Sequence, residues 1–411
     1  MGKKVCMLVT DHPFLDSRIF KREALSLKKM GYEVTMIVPR KNKYLLDIDG
    51  TPIKDRFLTP SFKYKGITII TYDWESSRAF LSKVRDNPVR WEHSGFHNQL
   101  TQLGMKQNAD IYHVHEYLSL FAGVGIKHQL RKKGKEVKLI YDSHELTPDP
   151  FDPNYTEEIR NILKERLLSM LKEVDYVITI SPSIKSWFLV QNPAIPVEII
   201  YNSPPLSNTY QPKKQTDSLT VCYEGNMDNK RGSKEKITGI TEFCSAASDF
   251  KFKVIGGARF GDSFPLPQTL TNKIHLTGWV DYHAISNHMA DVDAGWIDYE
   301  DLHHSLNRLY AMPNKFFSYL NNGVPVVVNR CHEMENFIRK HHCGLVLDKA
   351  DASAQDYAEA FLYLNKNKSI LQQMSENARA VMENKYSWEH MQKRLANVYE
   401  ELLNEGATMH M

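Results

Sequence analysis

The sequence predicts an α/β protein in which two doubly wound domains each contain a parallel β-sheet. Short apolar runs rich in β-branched residues alternate along the chain with segments whose apolar residues recur at helical spacing. This alternation stops once, in a polar stretch at residues 204–218, and then restarts. The length of 411 residues suits two large domains.

The first domain is expected to occupy residues 1–203 and to begin with a β-α-β unit. Residues 5–10 and 34–38 are short apolar runs typical of buried strands, and residues 19–30 between them have helical apolar spacing. Further strands are predicted at residues 67–71, 110–113, 137–141, 176–180 and 197–201. Strands that alternate with helices in this way form a parallel sheet.

Residues 204–218 are rich in Pro, Ser, Asn and Lys and lack periodicity, which predicts an interdomain linker. The second domain is expected at residues 219–386, and a helix at residues 387–411 is expected to cross back to the first domain. Strands are predicted at residues 219–223, 253–255, 274–276, 294–297, 324–328 and 344–347. Helices are predicted at residues 234–248, 282–290, 313–322, 333–340, 353–365, 368–384 and 388–404.

The composition excludes several classes of protein. The net charge of +3 is too small to indicate a nucleic-acid partner. No apolar run approaches the roughly 20 residues that cross a bilayer. Five cysteines without a CxxC pair argue against a disulfide framework or a zinc ribbon and favour a reducing cytoplasm.

Charge is distributed unevenly along the chain. Residues 1–200 contain 30 Lys and Arg against 24 Asp and Glu, a net charge of +6, whereas the remainder carries −3. A basic first half fits peripheral contact with the anionic inner face of a membrane, and it fits a solvated surface equally well.

The segment 312–328, MPNKFFSYLNNGVPVVV, is the most informative part of the sequence. Pro313 suits the first turn of a helix, and Gly323 suits its left-handed end before a Val-rich buried strand. The first-turn N–H groups, from Asn314 onward, can receive a phosphate, and Lys315 adds a positive charge. The same pattern also describes an ordinary helix-turn-strand, so the phosphate site is a hypothesis.

This segment resembles the PNK-x-x-E-Y-x-x-x-G-x-P-V stretch of the family 4 glycosyltransferases. The resemblance continues in the same order through DSR (16–18), ADIYHVHE (109–116), IYDSHEL (140–146), VDYVITISPSI (174–184), IIYNSPP (199–205), YEGNMDNKRG (223–232), VIGG (254–257), HLTGWV (275–280) and SWEHMQKRLANVYEELL (387–403). It covers nearly the whole chain. It implies the GT-B fold, in which two Rossmann-like domains face each other across a cleft and the second binds a nucleotide-sugar donor.

The strand ends of the second domain contain the expected donor-binding residues. Gly225 lets the backbone approach a ligand, while Lys230 and Arg231 can neutralise a diphosphate. The resemblance implies that loops at Gly257 and Trp279 hold the base, where the indole either stacks on the ligand or packs in the core. The predicted set is Gly225, Asn226, Lys230, Arg231, Gly257, Trp279, Val280, Tyr310, Asn314, Lys315, Phe316 and Ser318.

Polar residues that follow strands of the first domain are the candidates for catalysis. Asp142, His144 and Glu145 end a predicted buried strand, where an imidazole can bind a sugar hydroxyl and a carboxylate can orient it or accept a proton. The resemblance implies that a histidine in this region lines the sugar site. The acceptor side is predicted to include Asp16, Arg18, His113 and Glu116.

The sequence HVHE at residues 113–116 also has the spacing of a metal site, because residues two apart on a strand point to one face. The resemblance requires no metal. We therefore predict no metal ion and no cofactor, and we treat the nucleotide-sugar as a substrate.

Two carboxylates of the family pattern are absent from this chain. Many family members have two Glu separated by seven residues, and these positions are Tyr310 and Ser318 here. The resemblance implies that the second Glu binds the ribose and that the first lies near the sugar. Three interpretations remain open: a substitute such as Asp298, Glu300 or Asp301, a donor held differently, or loss of transfer activity.

The function expected from the resemblance is a retaining glycosyltransferase that moves a sugar from a nucleotide-diphosphate sugar to a hydroxyl acceptor. A UDP-sugar is the first choice and a GDP-sugar the second. The acceptor is expected to be a saccharide, a glycolipid or a secondary metabolite, in cell-surface polysaccharide or glycoconjugate synthesis in the cytoplasm. The alternatives are a non-catalytic relative that assists an active partner and a sugar-nucleotide epimerase.

Overall fold

The computed structural model describes residues 2–75, 96–213, 216–227, 234–257, 265–300 and 302–408. Contacts divide the chain into two compact units. Unit 1 comprises Met1–Ile200 and Gln392–Met411, and unit 2 comprises Tyr201–Met391.

Unit 1 contains an eight-stranded sheet with the order β10-β9-β8-β7-β1-β2-β6-β5. Its strands are parallel except β5, which pairs antiparallel with β6, and a short ribbon of β3 and β4 stands apart. The strands are β1 (Lys4–Leu8), β2 (Glu33–Arg40), β3 (Leu45–Leu46), β4 (Pro52–Ile53), β5 (Ser61–Tyr64), β6 (Ile67–Asp73), β7 (Ile111–His115), β8 (Lys138–Ser143), β9 (Tyr176–Thr179) and β10 (Val197–Ile199).

The helices of unit 1 connect the parallel strands as crossovers. The first begins as a π-helix and continues as an α-helix, and the last starts at the end of unit 2 and belongs to unit 1 from Gln392 onward. They are the π-helix Ile19–Ala24 and the α-helices Leu25–Lys29, Gln99–Gln107, Glu116–Lys132, Glu157–Leu171, Pro182–Gln191 and Trp388–Thr408.

Unit 2 contains a six-stranded, all-parallel sheet with the order β13-β12-β11-β14-β15-β16. Its strands are β11 (Leu219–Asn226), β12 (Phe250–Gly257), β13 (Ile274–Leu276), β14 (Ala294–Ile297), β15 (Val326–Val328) and β16 (Gly344–Val346). Its α-helices are Lys234–Ala247, Ile285–His288, Leu306–Leu309, Asn314–Asn321, His332–His341, Ala354–Lys366 and Lys368–Val381.

Alternate residues of β11 point to opposite faces of this sheet. Val221 and Tyr223 face a core that includes Trp296 and Phe361. Tyr319, from the helix Asn314–Asn321, packs on the other face and donates its hydroxyl to the Cys222 carbonyl (3.1 Å). The central strand is therefore buried on both sides, as parallel strands usually are.

The predicted fold class is confirmed, and each predicted strand is present. In both sheets the strand order reverses beside the first strand, between β1 and β7 in unit 1 and between β11 and β14 in unit 2. The loops that follow the two strands at such a reversal run in opposite directions and leave a crevice between them. Ligands of such sheets usually bind in this crevice, at the carboxyl ends of the strands.

Several local elements differ from the sequence predictions. The segment 282–290 is a 3₁₀ turn, Tyr282–Ala284, followed by one helical turn, Ile285–His288. The helix predicted at residues 368–384 ends at Val381 and continues as a π-helix, Met382–Tyr386. The predicted left-handed helix end at Gly323 is confirmed, with φ of 60°.

Gly295 in β14 leads to a prediction about stability. A Cβ at this position would lie 2.5 Å from the Tyr319 ring, which is held by hydrogen bonds to the neighbouring strand. We expect Gly295→Ala to lower the free energy of unfolding by about 1–3 kcal/mol, measured by urea titration. Gly257→Ala is the control, because its nearest atom is 3.9 Å away, and equal stability of the two variants would contradict the prediction.

Candidate functional site

Unit 1 contains a buried polar cluster at the carboxyl ends of its central strands. His113 and His115 lie on β7 and Asp142 lies on β8, while Arg18 and Glu23 come from the π-helical turn after β1. We call these five residues the unit 1 cluster. All five side chains are buried, at the point where the strand order reverses.

The π-helix explains why Glu23 belongs to this cluster. Its N–H donates to the Arg18 carbonyl (2.9 Å), five residues earlier. Side chains five residues apart diverge by about 140° on an α-helix, whereas the wider π-turn brings them to one face. Helical periodicity read as an α-helix therefore did not place Glu23 beside Arg18.

A bidentate ion pair joins Arg18 to Asp142. The guanidinium donates from Nε to Oδ2 (3.0 Å) and from Nη2 to Oδ1 (2.8 Å), while Nη1 donates to the Ile200 carbonyl (2.7 Å). The Glu23 Oε1 atom lies 3.0 Å from the Arg18 Nε atom. One cation thus lies between two buried carboxyl groups.

The two carboxyl groups titrate in opposite directions. Burial opposes ionisation of Asp142, but the charges of Arg18 and His144 hold its pKa well below the usual range. Burial and the nearby Asp142 charge raise the pKa of Glu23 well above its usual range. These opposite shifts favour one carboxylate beside one guanidinium, a pair without net charge.

The histidines of the cluster are held neutral. Burial lowers the pKa of His115 to about 4 and that of His113 well below its usual value. His115 Nδ1 lies 3.3 Å from both the Asp142 Oδ2 atom and the His144 Nε2 atom. His113 Nδ1 is 3.0 Å from the Tyr399 hydroxyl of the last helix.

A second group, His12, Glu116 and His144, lies on the more exposed side of the cluster. Glu116 Oε1 is 3.5 Å from His12 Nε2 and 3.4 Å from His144 Nδ1, and Asp16 approaches His12 Nδ1 at 3.4 Å. The side chains of His12, Glu116 and His144 are 26%, 15% and 8% exposed, respectively. His12 and Glu116 are therefore partly exposed beside the nearly buried His144, whereas the unit 1 cluster is fully enclosed.

The backbone of Glu116 is strained. Its φ is 70°, in the left-handed region that costs a non-glycine residue about 1–2 kcal/mol. Such strain concentrates at functional sites, where it holds a side chain in a required direction. The strain here turns the Glu116 carboxylate toward the two histidines. His12, which sequence analysis did not select, stands four residues after the first strand, beside a proline.

Both groups have the side-chain types of a metal site. One ligand atom from each of Glu23, His113, His115 and Asp142 lies within 4.8 Å of the others, and the same holds for His12, Glu116 and His144. Imidazole and carboxylate together suit zinc or iron. In the first group, however, the Arg18 guanidinium already neutralises the carboxylate charge. The absence of a metal remains a prediction.

The structure brings together two of the three residues predicted to be catalytic. His144 Nε2 lies 3.0 Å from the Asp142 Oδ2 atom, so the carboxylate orients the imidazole. Burial lowers the pKa of His144, although Asp142 opposes this shift. Glu145 is exposed and takes part in the turn through its carbonyl, which accepts from the Ser143 hydroxyl (2.6 Å).

The unit 2 site lies where β11 ends beside the helix Asn314–Asn321. Gly225 has a φ of 122°, which favours glycine, and a Cβ there would lie 3.5 Å from the Lys315 Nζ atom. Lys315 Nζ stands 3.8 Å from the centre of the Tyr223 ring, which attracts a cation to this strand end. A cation therefore lies directly over a backbone that carries no side chain.

The first turn of this helix is less open than predicted. The Phe316 N–H donates to the Pro313 carbonyl (3.1 Å), so it is not directed at a ligand. The Phe316 ring is fully buried and packs 5.2 Å from the Phe337 ring. Phe316 thus belongs to the core, whereas Asn314 is exposed at the start of the helix.

Ser318 lies on the inner side of the same helix, beside a carboxylate that sequence analysis did not select. Its hydroxyl forms a hydrogen bond with the Glu224 side chain. The Glu224 N–H donates to the Tyr319 hydroxyl (2.7 Å), which fixes the strand end against the helix. Burial raises the pKa of Glu224, while Ser318 and then Lys315 oppose the shift.

The neighbouring strand supplies the predicted base-binding loops. Asn226 pairs with Gly257 at the ends of β11 and β12, and the Asn226 carbonyl accepts from the Tyr223 hydroxyl (2.6 Å). A Cβ at Gly257 would lie 3.9 Å from the Trp279 indole nitrogen. Trp279 and Val280 are half-buried, so neither is enclosed in the core.

The remaining predicted residues have separate positions. Tyr310 is half-buried, and its ring centre lies 6.0 Å from that of His332. Asp298, one proposed substitute carboxylate, already accepts from Lys236 (2.5 Å) and from the Tyr357 hydroxyl (2.7 Å). Glu300 is partly exposed, 3.9 Å from the Lys236 ammonium group. Lys230, Arg231 and Asp301 lie outside the described residues.

Sequence comparison assigns both units. Residues 17–206 match the model of Glycosyltransferase Family 4, and residues 242–397 match that of the Glucosyltransferase 3-like, C-terminal domain. Unit 1 thus contains a glycosyltransferase family 4 domain, and the chain is a glycosyltransferase. No curated protein matches it in sequence. Among the residues that the structure describes, no helix combines the length and apolar character needed to cross a bilayer.

Solved structures share the GT-B fold of this glycosyltransferase over nearly its whole length. Sucrose-phosphate synthase from Thermosynechococcus elongatus is 16% identical, with a TM-score of 0.66 and coverage of 98% of this chain and 100% of that one. HepE from Anabaena, solved with UDP-glucose, is 12% identical (TM-score 0.67, 97% and 100%). A glycosyltransferase from Rickettsia africae is 15% identical (0.63, 98% and 99%).

The neutral histidines predict how stability depends on pH. Between the ordinary His pKa of 6.5 and about 4, the unfolded chain binds a proton at His115 that the folded protein excludes. This residue therefore makes stability fall as the pH falls through that window. We expect His115→Asn, which retains a polar atom, to remove up to about 1.4 kcal/mol per pH unit from the slope near pH 5.

The measurement is the free energy of unfolding in urea at several pH values for the wild type and the variant. The exposed His303→Asn serves as the matched control and should keep the wild-type slope. A slope in His115→Asn equal to that of the control would show that His115 is not held neutral by the fold.

Proposed function

We propose that this glycosyltransferase transfers a sugar from a nucleotide-diphosphate sugar to a hydroxyl acceptor, with retention of the anomeric configuration. The observation that carries the proposal is the position of Lys315 over Gly225, where the strand order of unit 2 reverses. A cation beside exposed backbone suits a diphosphate. The UDP-glucose named in the Anabaena HepE structure supports UDP as the donor's nucleotide.

In this proposal, Lys315 acts on the leaving group. The bond between the anomeric carbon and the diphosphate oxygen breaks, and its electron pair remains on the diphosphate. A fixed ammonium group, with the positive end of the helix Asn314–Asn321, stabilises the growing negative charge. The chemistry then needs no metal ion at the diphosphate.

The proposed acceptor residues are the partly exposed group of unit 1. His144 donates Nε2–H to Asp142, so the lone pair of a neutral imidazole is on Nδ1, 3.4 Å from Glu116, and this nitrogen can take the proton of an acceptor hydroxyl. The proton leaves the hydroxyl as its oxygen bonds to the anomeric carbon. Arg18 acts through Asp142 and does not reach the acceptor, because its guanidinium is buried and donates to Asp142 and to the Ile200 carbonyl.

Retention and the choice of acceptor are parts of this proposal that come from the family. The acceptor is proposed to be a saccharide or a lipid-linked saccharide, in cell-surface polysaccharide or glycoconjugate synthesis. Nuclear magnetic resonance of the product would show whether the anomeric configuration of the donor is retained. An inverted product would contradict this part of the proposal alone.

The test of the donor site is binding and turnover of UDP-glucose. We expect UDP to bind the wild type in calorimetry and Lys315→Gln to bind it about tenfold or more weakly, since a charged hydrogen bond is lost. Lys349→Gln is the control, because Lys349 is exposed and pairs with Asp356 away from this strand end. Equal affinities of the two variants would contradict the role of Lys315.

A second candidate is a non-catalytic relative that binds a nucleotide or glycan and assists an active enzyme. Tyr310 and Ser318, at positions where the family has two Glu, favour it. UDP release from UDP-glucose with a pool of saccharide and glycolipid acceptors discriminates between the two. Turnover supports the transferase, whereas nucleotide binding without any turnover supports the second candidate.

A further inference from the structure

Glu224 is a carboxylate at the reversal point of unit 2. It stands immediately before Gly225 on β11, on the face of the sheet opposite the core residue Tyr223. Ser318, on the helix that covers this face, forms a hydrogen bond with its side chain. The carboxylate is therefore held at the strand end by the helix that carries Lys315.

One oxygen of this carboxylate accepts no hydrogen bond. Among the residues that the structure describes, the Glu224 Oε2 atom is buried without a hydrogen-bond partner. A buried acceptor without a partner is unfavourable, so such atoms are few in native proteins and call for an explanation. A ligand hydroxyl that donates to Oε2 would satisfy it.

The surroundings of Glu224 indicate which ligand supplies that hydroxyl. Lys315 and the bare backbone of Gly225 adjoin the carboxylate, and they suit a diphosphate. In a nucleoside diphosphate, the ribose follows the phosphates directly and carries two neighbouring hydroxyl groups. The transferred sugar adjoins the other end of the diphosphate, but the predicted base-binding residues Gly257 and Trp279 lie at the end of the adjoining strand and favour the ribose side for Glu224.

We propose that Glu224 recognises the ribose of the nucleotide and that its Oε2 atom accepts a hydrogen bond from a ribose hydroxyl. This inference rests on the proposed function and adds a specificity residue to the same site. Ser318 orients the carboxylate. Asp298 does not compete for this role, since Lys236 and Tyr357 already bind it.

The test removes one ribose hydroxyl from the nucleotide and, separately, replaces the Glu224 carboxyl group by an amide. Calorimetry measures the binding of UDP and GDP, each with its 2′-deoxy and 3′-deoxy counterparts, to the wild type and Glu224→Gln. We expect the wild type to bind at least one deoxy form about tenfold to a hundredfold more weakly than the ribonucleotide, the range of a charged hydrogen bond. We expect Glu224→Gln to lose most of this discrimination.

Two further variants test whether the carboxyl group of Glu224 itself is required. Ser318→Ala is the matched control, because it removes a contact of Glu224 but keeps the carboxylate, and it should still discriminate. Glu224→Asp retains the charge on a shorter side chain and should discriminate less than the wild type. If Glu224→Gln does not fold, the loss of discrimination in Glu224→Asp attributes the effect to Glu224, and equal binding of both forms by the wild type overturns the role without any variant.

Each outcome has one meaning. Equal binding of ribose and deoxyribose forms by the wild type would overturn the role of Glu224 and leave the proposed function intact. Discrimination by Glu224→Gln as strong as that of the wild type would overturn the same role. If the wild type binds none of these nucleotides, the proposed function is itself wrong and this inference falls with it.

Discussion

The candidate sites depend on one topological constraint, the reversal of strand order beside the first strand of each parallel sheet. Right-handed crossovers send the chain to one side of β1 or β11 and then to the other, so the loops at the carboxyl ends separate there. The loops that diverge there leave a crevice at the carboxyl ends of these strands. Polar side chains at these points can meet a ligand, while the same residue types elsewhere on the strands would be buried at a cost.

In unit 1, the constraint concentrates charge in a place that excludes water. Two hydrogen bonds join Arg18 to Asp142, and the raised pKa of Glu23 disfavours a second negative charge beside them. Breaking such a buried pair costs more than the pair contributes, which makes its geometry rigid. A rigid Asp142 in turn orients His144, which is 8% exposed and lies beside the more exposed His12 and Glu116.

In unit 2, the same reversal point brings together three groups of different chemistry. Lys315 and Gly225 present a cation and bare backbone, and Glu224 presents a carboxylate one residue earlier. The family motif places a carboxylate on the helix at the position that Ser318 occupies here. The strand carries one instead, beside that serine, so the chain retains a carboxyl group where the motif alone indicates its loss.

The sequence by itself determined the fold class, the parallel strands of both sheets and the residue types at the strand ends, because periodicity, glycines and motifs are local signals. It also located Arg18, Asp142, His144 and Lys315. It did not predict the short strands β3, β4 and β5. Glu23, His12 and Glu224 required the tertiary structure, for a physical reason in each case. A π-helix changed the face of Glu23, a strained backbone turned Glu116 toward His12, and the packing of a helix on β11 brought Ser318 to Glu224 from 94 residues away in sequence. Only packing decides which distant residues share a site.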